Sequence, residues 1–326
     1  MDTDLSIRRA SAAESAWLRP WVLEHAEWDP KGPVRLPVPP ESARQAPPAT
    51  TDETAATLDG CWIATSGPSG SLLRGAAWVE TVTPSVVALY GPRLTKGTPH
   101  DSALAFARAL VARIRQDPAC QFIQSLVPTQ DATTTDILSG AGFQVVTAVD
   151  FLFWTATTAG VATCEPTTPA IRWDRVVREN WSDWNELLLR TYTASQDFPE
   201  LQQRPSSNST IGPPIDLEDT PGRPRATAWM VSIHDERIGG VACTIDPAGS
   251  DIHCNYLGVL PEHRGRRYGS CILQLLQRHA HEIDAHRIFA ECDHRNSVAL
   301  AMYHAAHFIR YDSRDLWIHW LHPADA

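Results

Sequence analysis

The stretch Leu257-Gly258-Val259-Leu260-Pro261-Glu262-His263-Arg264-Gly265-Arg266-Arg267-Tyr268-Gly269-Ser270 reads as the place where a strand hands over to a helix. DIHCNYLGVL (251–260) supplies the strand, and Ile272, Leu273, Leu275 and Leu276 recur beyond it at helical spacing. The unpaired N–H groups at a helix N-terminus point outward with the positive end of the dipole, so they bind phosphate well. Gly265 and Gly269 let the main chain approach a ligand closely. Arg264, Arg266 and Arg267 add three positive charges. A pyrophosphate would fit such a turn.

Around this turn the C-terminal half alternates strands and helices. ATAWMVSI and IGGVACTI form a hairpin about HDER, followed by the strand at 251–260, the helix SCILQLLQRHAHEI, the strand RIFAEC, the helix SVALAMYHAAHF and the strand RDLWIHWL. In the last helix Val298, Met302 and Ala305 or Ala306 share one side. The first half follows the same plan. Ile7 and Trp17 recur as Ile171 and Trp181, both shifted by 164, and Phe143 and Asp150 recur as Phe308 and Asp315, shifted by 165. CWIAT (61–65) answers to AWMVS (228–232), and LRGAAWVE (73–80) to RIGGVACTI (237–245). A period of this length is too long for a solenoid, whose units run to tens of residues, and indicates two copies of one domain fold.

The expected division is a first domain over 1–155, a linker over 156–170 rich in Thr, Ala and Pro, and a second domain over 171–326. Pro-, Ser- and Thr-rich stretches at 26–59 and 194–225 follow the first helix of each copy. Long connections of this kind are functional lids or mobile insertions.

The 326 residues suit two domains, and 43% hydrophobic with 20% charged residues excludes a disordered, collagen-like or coiled-coil chain. With 28 Lys and Arg against 38 Asp and Glu, the net charge of −10 opposes general attraction to nucleic acid or an anionic membrane surface. An anionic ligand therefore needs a local basic site. Seven cysteines, none closer than eleven residues to another, suit reduced thiols rather than a disulfide framework. With no apolar run long enough for a membrane helix and no signal-like start, the expectation is a complete, cytoplasmic protein. His279/His281 and His304/His307 lack the neighbouring ligands that a metal site needs, so no metal is expected.

The turn resembles the acyl-CoA motif of the GCN5-related N-acetyltransferase (GNAT) family, Arg/Gln-x-x-Gly-x-Gly/Ala, matched here by Arg264 to Gly269, with Arg267 standing where the family has its first glycine. A second family feature follows in order: Asn296, then Tyr303 on the next helix, then Phe308, with His307 in place of the usual glycine. The resemblance covers residues 170–326. It implies an α/β fold (α+β, mixed sheet) of two tandem GNAT-like domains, each a central splayed sheet flanked by helices. It also implies acetyl transfer from acetyl-CoA, as co-substrate, to a small-molecule or peptide amine.

By the same resemblance, the strand at Leu257–Val259 splays from its neighbour and binds the pantetheine arm, and the Val259 N–H stabilises charge on the thioester oxygen, a role worth ~3 kcal/mol in the transition state. Leu257, Val259, Arg264, Gly265, Arg266, Arg267, Tyr268, Gly269, Ser270 and Asn296 are the expected cofactor contacts. Tyr303 is the expected partner of the leaving thiolate. Protonating it would be uphill by roughly 2 kcal/mol from pKa values of about 10 and 8.5, which favours a hydrogen bond. The attacking amine must be neutral; His253 and Glu291, on the two strands flanking the cleft, are the candidates to accept its proton.

In the first copy VVALYGPRLTKGTPHDSALAFARALVARI (86–114) has no matching motif, Pro99 removes a backbone donor at the turn, and Leu138 stands where the second copy has Tyr303. This copy is read as degenerate. Asp197, Glu200, Asp216, Glu218 and Asp219 in the second copy's insertion would attract a cationic acceptor. A non-catalytic acyl-CoA sensor or interaction module is the alternative from another class, and a nucleotide-binding enzyme using the same turn is a third. Oligomeric state is not legible in these patterns.

Overall fold

The computed structural model describes residues 5–23, 58–67, 70, 72–156, 171–202 and 225–322. The expected linker and most of the two Pro-, Ser- and Thr-rich stretches, with Asp216, Glu218 and Asp219, lie outside the described residues. The chain divides into two units, Met1–Val146 with Asp315–Ala326, and Thr147–Arg314.

In the first unit the elements run β1 (Ser6–Arg9), α1 (Ala12–Leu23), β2 (Gly60–Ser66), β3 (Leu72–Thr83), β4 (Val86–Leu94), α2 (His100–Ile114), β5 (Phe122–Pro128), α3 (Ala132–Gly140) and the start of β6 (Gln144–Thr155). The strands lie in the order β1-β2-β3-β4-β5, antiparallel except for the parallel pair β4–β5. Helix α1 starts on a reciprocal cap, because Glu14 N–H donates to Ser11 Oγ (3.2 Å) and Ser11 N–H donates back to the Glu14 carboxylate (2.8 Å). Arg8 holds the same carboxylate at 2.8 Å and, with the Ser11 bonds, lowers its pKa to about 2. Phe106, Leu110 and Ile114 of α2 bury one helical face against Leu89 and Ile123.

The second unit repeats the plan with the rest of β6, β7 (Ile171–Arg175), α4 (Trp181–Tyr192), α5 (Pro199–Gln202), β8 (Arg225–Ile233), β9 (Glu236–Ile245), β10 (Asp251–Val259), α6 (Tyr268–Glu282), β11 (Arg287–Asp293), α7 (Ser297–Ala305) and the start of β12 (Ile309–Trp320). Its strand order is β6-β11-β10-β9-β8-β7. β4 and β10, β5 and β11, α3 and α7, and β6 and β12 each begin 165 residues apart, so the duplication holds element by element. The hairpin β8–β9 closes through His234 and Asp235, whose φ values of 48° and 64° are those of a type I′ turn. One difference from the sequence reading is that each copy opens on a short strand, β1 or β7, ahead of its first helix. Four or five residues carry too little alternation to reveal a strand whose pairing partner lies some 60 residues away.

Helices cover both faces of this sheet. Ile272, Leu273 and Leu276 of α6 pack with Val241, Cys243, Ile252 and Ile288 on one side. Trp184, Leu187 and Leu188 of α4 pack with Ala228, Met230 and Ala242 on the other. Full burial of each such side chain contributes about 1.5–3 kcal/mol. Gly240 makes room for the Trp184 ring, which a Cβ there would overlap.

Candidate active site

Strands β10 and β11 pair in parallel only from Asp251↔Arg287 to Cys254↔Ala290, although β10 runs on to Val259 and β11 to Asp293. On its other edge β10 stays with β9 as far as Val259↔Gly239, past a register shift between Cys254 and Tyr256. A bulge inserts one residue and bends its strand, and here it coincides with the point where β10 leaves β11. Leu260 N–H donates to the Ile238 carbonyl (2.9 Å), which makes Val259 and Gly239 a non-hydrogen-bonded pair. By the alternation of an antiparallel ladder, the N–H and C=O groups of Val259 and Leu257 therefore turn away from β9, into the opening. Close approach of β9 and β10 requires Gly239, since a Cβ there would overlap the Gly258 carbonyl oxygen.

The predicted phosphate turn follows. Arg264 directs its guanidinium inward, donating to the carbonyls of Val259 (3.1 Å), Thr191 (2.7 Å) and Ala194 (2.9 Å). It thus ties the last turn of α4 to the end of β10, where a cation also complements the helix dipole. Gly265 has φ 74° and open space at its Cβ position. Arg267 caps α6 from a left-handed conformation (φ 62°) without a side-chain capping bond. Arg266 and Arg267 are exposed, and neither has an ion-pair partner among the described residues. Tyr268 packs toward His263 (6.2 Å between rings), and Ser270 is half-buried in the first helical turn. Gly269 allows α6 to pass close to α7, because a Cβ there would lie 2.8 Å from Met302 Sδ.

Tyr303 is buried on α7, edge-on to Phe308 (5.2 Å), with its hydroxyl hydrogen-bonded to the thiol of Cys254, the last residue of β10 that pairs with β11. Burial, then the neighbouring Cys254, Cys292 and Asp197, raise its pKa well above that of a free tyrosine, so it is a protonated donor at the apex of the opening. Asn296 is also buried. Its side-chain oxygen caps α7 by accepting from Ala299 N–H (3.0 Å), and its side chain bonds Asp197. Asp197 also accepts from Cys292 Sγ (3.8 Å), and burial raises its pKa.

This corner is a polar knot that the sequence reading missed. Asp293, fully buried, accepts from Thr147 Oγ1 (2.7 Å), Phe198 N–H (3.0 Å) and Arg295 (2.8 Å), and Arg295 grips Glu200 through both terminal nitrogens (2.6 and 2.8 Å). Together these bonds fasten residues 197–200 beside the end of β11. The nearest signal in the sequence was the run of acids in 194–225, which carries charge but no pairing. Tyr256 fills the α4 side of the opening, its hydroxyl on Thr191 and its ring 5.8 Å from Tyr192.

The two candidate bases sit differently. His253 lies on the paired part of β10 and stacks on Phe289 (5.1 Å, 20° between planes); burial lowers its pKa. Glu291 is the first residue of β11 past its last pairing with β10. Desolvation raises its carboxyl above the usual range, opposed by Arg314. In the first unit the corresponding turn is closed by its own hydroxyls: Thr95 and Thr98 donate to the carbonyls of Leu73 (2.9 Å) and Arg74 (2.7 Å). Leu138, in the place of Tyr303, is wholly buried. Among the described residues no three His, Cys, Asp or Glu side chains are grouped to hold a metal ion, and no helix is long and apolar enough to cross a membrane.

Residues 181–308 match the model of the acetyltransferase (GNAT) family. No curated protein matches the chain. Among solved structures, a tandem GNAT protein from the clavulanic acid biosynthesis pathway is 17% identical with a TM-score of 0.58, over 99% of this chain and 100% of its own. A GCN5-related N-acetyltransferase from Sphaerobacter thermophilus is 13% identical with a TM-score of 0.60, over 98% and 96%. A glucosamine N-acetyltransferase region of a fungal multi-domain GH3 beta-N-acetylglucosaminidase is 13% identical with a TM-score of 0.62, over 97% of this chain and 38% of that one. Residues 181–308 therefore belong to the GNAT family of acetyltransferases, in a chain with the tandem GNAT fold.

Proposed function

We propose that residues 171–326 transfer an acetyl group from acetyl-CoA to an amine, and that residues 1–155 are a copy without chemistry of its own. The observation that carries this reading is the opening of β10 from β11, with the N–H groups of Leu257 and Val259 turned into it. The residues present fit the coenzyme. Backbone groups along one edge of β10 lack a strand partner on β11, two exposed arginines flank an uncapped helix start, and a buried phenol stands at the apex.

In this reading Leu257 and Val259 hold the pantetheine arm through their main chain, and Gly265 to Ser270 with Arg266 and Arg267 hold the diphosphate. Arg264 acts at one remove by fixing the end of β10, and Asn296 by capping α7 and anchoring Asp197. Acetyl-CoA supplies an activated thioester. Glu291 takes the proton of the ammonium, the freed amine forms the C–N bond as the C–S bond breaks, Tyr303 donates a hydrogen bond to the departing thiolate, and the second proton lost from the nitrogen ends on that sulfur, giving the amide and the free thiol. Val259 N–H is the donor for charge on the thioester oxygen. Cys61, Cys120, Cys243, Cys254, Cys271 and Cys292 are free thiols, in keeping with a reducing cytoplasm.

Titration calorimetry with acetyl-CoA, together with thiol release across a panel of small amines and peptides, tests the assignment. Binding and release are both expected; binding with no release across a wide panel would favour the sensor, and no binding would end the reading. Tyr303→Phe should lower kcat about 10- to 100-fold while leaving the acetyl-CoA Kd unchanged. Equal loss of both would make Tyr303 a packing residue.

A further inference from the structure

On the sheet face of the second unit opposite α6 and α7, Phe151 and Phe153 of β6, Phe289 of β11 and Tyr311 of β12 form one connected aromatic array. Strand alternation puts them there, since the intervening Leu152, Trp154, Ile288 and Ala290 are all buried in the core. Tyr311 stands edge-on to Phe151, Phe153 and Phe289, with ring centroids 6.2, 5.7 and 6.0 Å apart. It is 53% exposed, so the array opens to solvent.

Glu291 lies directly across from Phe151 on the same face, two residues beyond Phe289. The other charges around it are matched: Arg287 holds Asp251 (2.8 Å), and Arg314 holds Asp312 (2.8 Å). Glu291 alone has neither hydrogen bond nor ion pair among the described residues; the residue reaches solvent, while the protein packed around its carboxyl keeps part of its water away. The ring faces already attract cations, with Arg287 5.2 Å over Phe289 and Arg314 5.3 Å over Phe151.

An unpaired carboxylate amid aromatic rings is complementary to an ammonium group on an apolar body. We propose that this face is the acceptor site and that it selects apolar primary amines, aryl- or alkylamines, with the ammonium on Glu291 and the body across Phe151, Phe289 and Tyr311. The assignment of this ligand as the acceptor rests on the acetyl-transfer reading, because Glu291 stands where β11 parts from β10. An amino sugar would set its hydroxyls against rings that offer them no partner, and is selected against.

The test is titration of the full chain with 2-phenylethylamine, ethanolamine, glucosamine and the uncharged 2-phenylethanol, without coenzyme. 2-Phenylethylamine is expected to bind at least about tenfold more tightly than the other three, Glu291→Gln and Tyr311→Ala each to weaken it about tenfold, and Tyr311→Phe to retain it. Melting temperature checks that the variants are folded. Equal binding of ethanolamine or glucosamine, no detectable binding of 2-phenylethylamine, or indifference to both Glu291→Gln and Tyr311→Ala would overturn the proposal. Selective amine binding without thiol release from acetyl-CoA would instead sink the transfer reading and leave an amine-binding face.

Discussion

Glu291 and His253 were equivalent candidates in the sequence, one on each flanking strand; what separates them is where pairing stops, a property of two strands and not of either residue. The pKa of Glu291 is raised by desolvation, and the groups that face it are His253 of β10, Phe151 of β6, Tyr311 and Arg314 of β12 and, on its own strand, Arg287. A proton acceptor must be ionised, so kcat/KM should fall as pH drops through that raised value, giving an acid limb above the usual carboxylate range of about 4.3. Glu291→Gln should remove the limb and lower kcat/KM about 100-fold. A pH–rate profile from pH 4 to 9 checks this; an unchanged acid limb in the variant would assign the proton to another group. The same limit on legibility applies to Arg264. The motif identified it as a cation at a phosphate turn, and only the fold reveals a guanidinium committed to three carbonyls. Arg267 and His307, which replace motif glycines, both adopt left-handed backbone (φ 62° and 64°), so the glycine pattern reported the backbone geometry correctly even where glycine is absent.

The α6–α7 pair and the strands between them were legible as elements because their periodicity extends over enough residues. The bend that makes the site was not. Asn255 and Tyr256 carry no glycine or proline to mark a bulge, and the splay entered only through resemblance. What sustains it is the contact on the other edge, where Gly239 lies against the Gly258 carbonyl. Adding a Cβ at Gly239 meets main chain, which cannot swing aside as a side-chain tip would. Gly239→Ala should therefore destabilise the fold by about 3 kcal/mol or more, at the upper end of single substitutions. Denaturant unfolding measures the loss, and a cost below about 1 kcal/mol would show that β9 and β10 can separate there without consequence.

For the molecule as a whole, the duplication was legible from a handful of Trp, Phe and Asp matches because two copies of a fold keep their spacing after their side chains diverge. Which residues complete which core was not legible, since alternation in the last strand of a copy fits any sheet edge of suitable length. The first unit takes Asp315–Ala326 as its own, with Trp317 and Leu321 in its core, Trp320 5.1 Å from Phe122 and Leu321 N–H on the Gln121 carbonyl (2.9 Å). Burying Trp317 and Leu321 is worth roughly 2–3 kcal/mol each, a large share of the 5–15 kcal/mol that holds a typical domain. A chain ending at Arg314 keeps every residue of the GNAT match at 181–308 yet removes part of the first unit's core. Hydrogen exchange on that chain should show α2, β4 and β5 losing protection first. Should the truncated chain prove insoluble, Trp317→Ala in the full chain tests the same point, with an expected cost of about 3–5 kcal/mol and faster exchange at α2 and β5 than at α6 and β11. Unchanged protection of the first unit would mean that its core closes without the C-terminal strand.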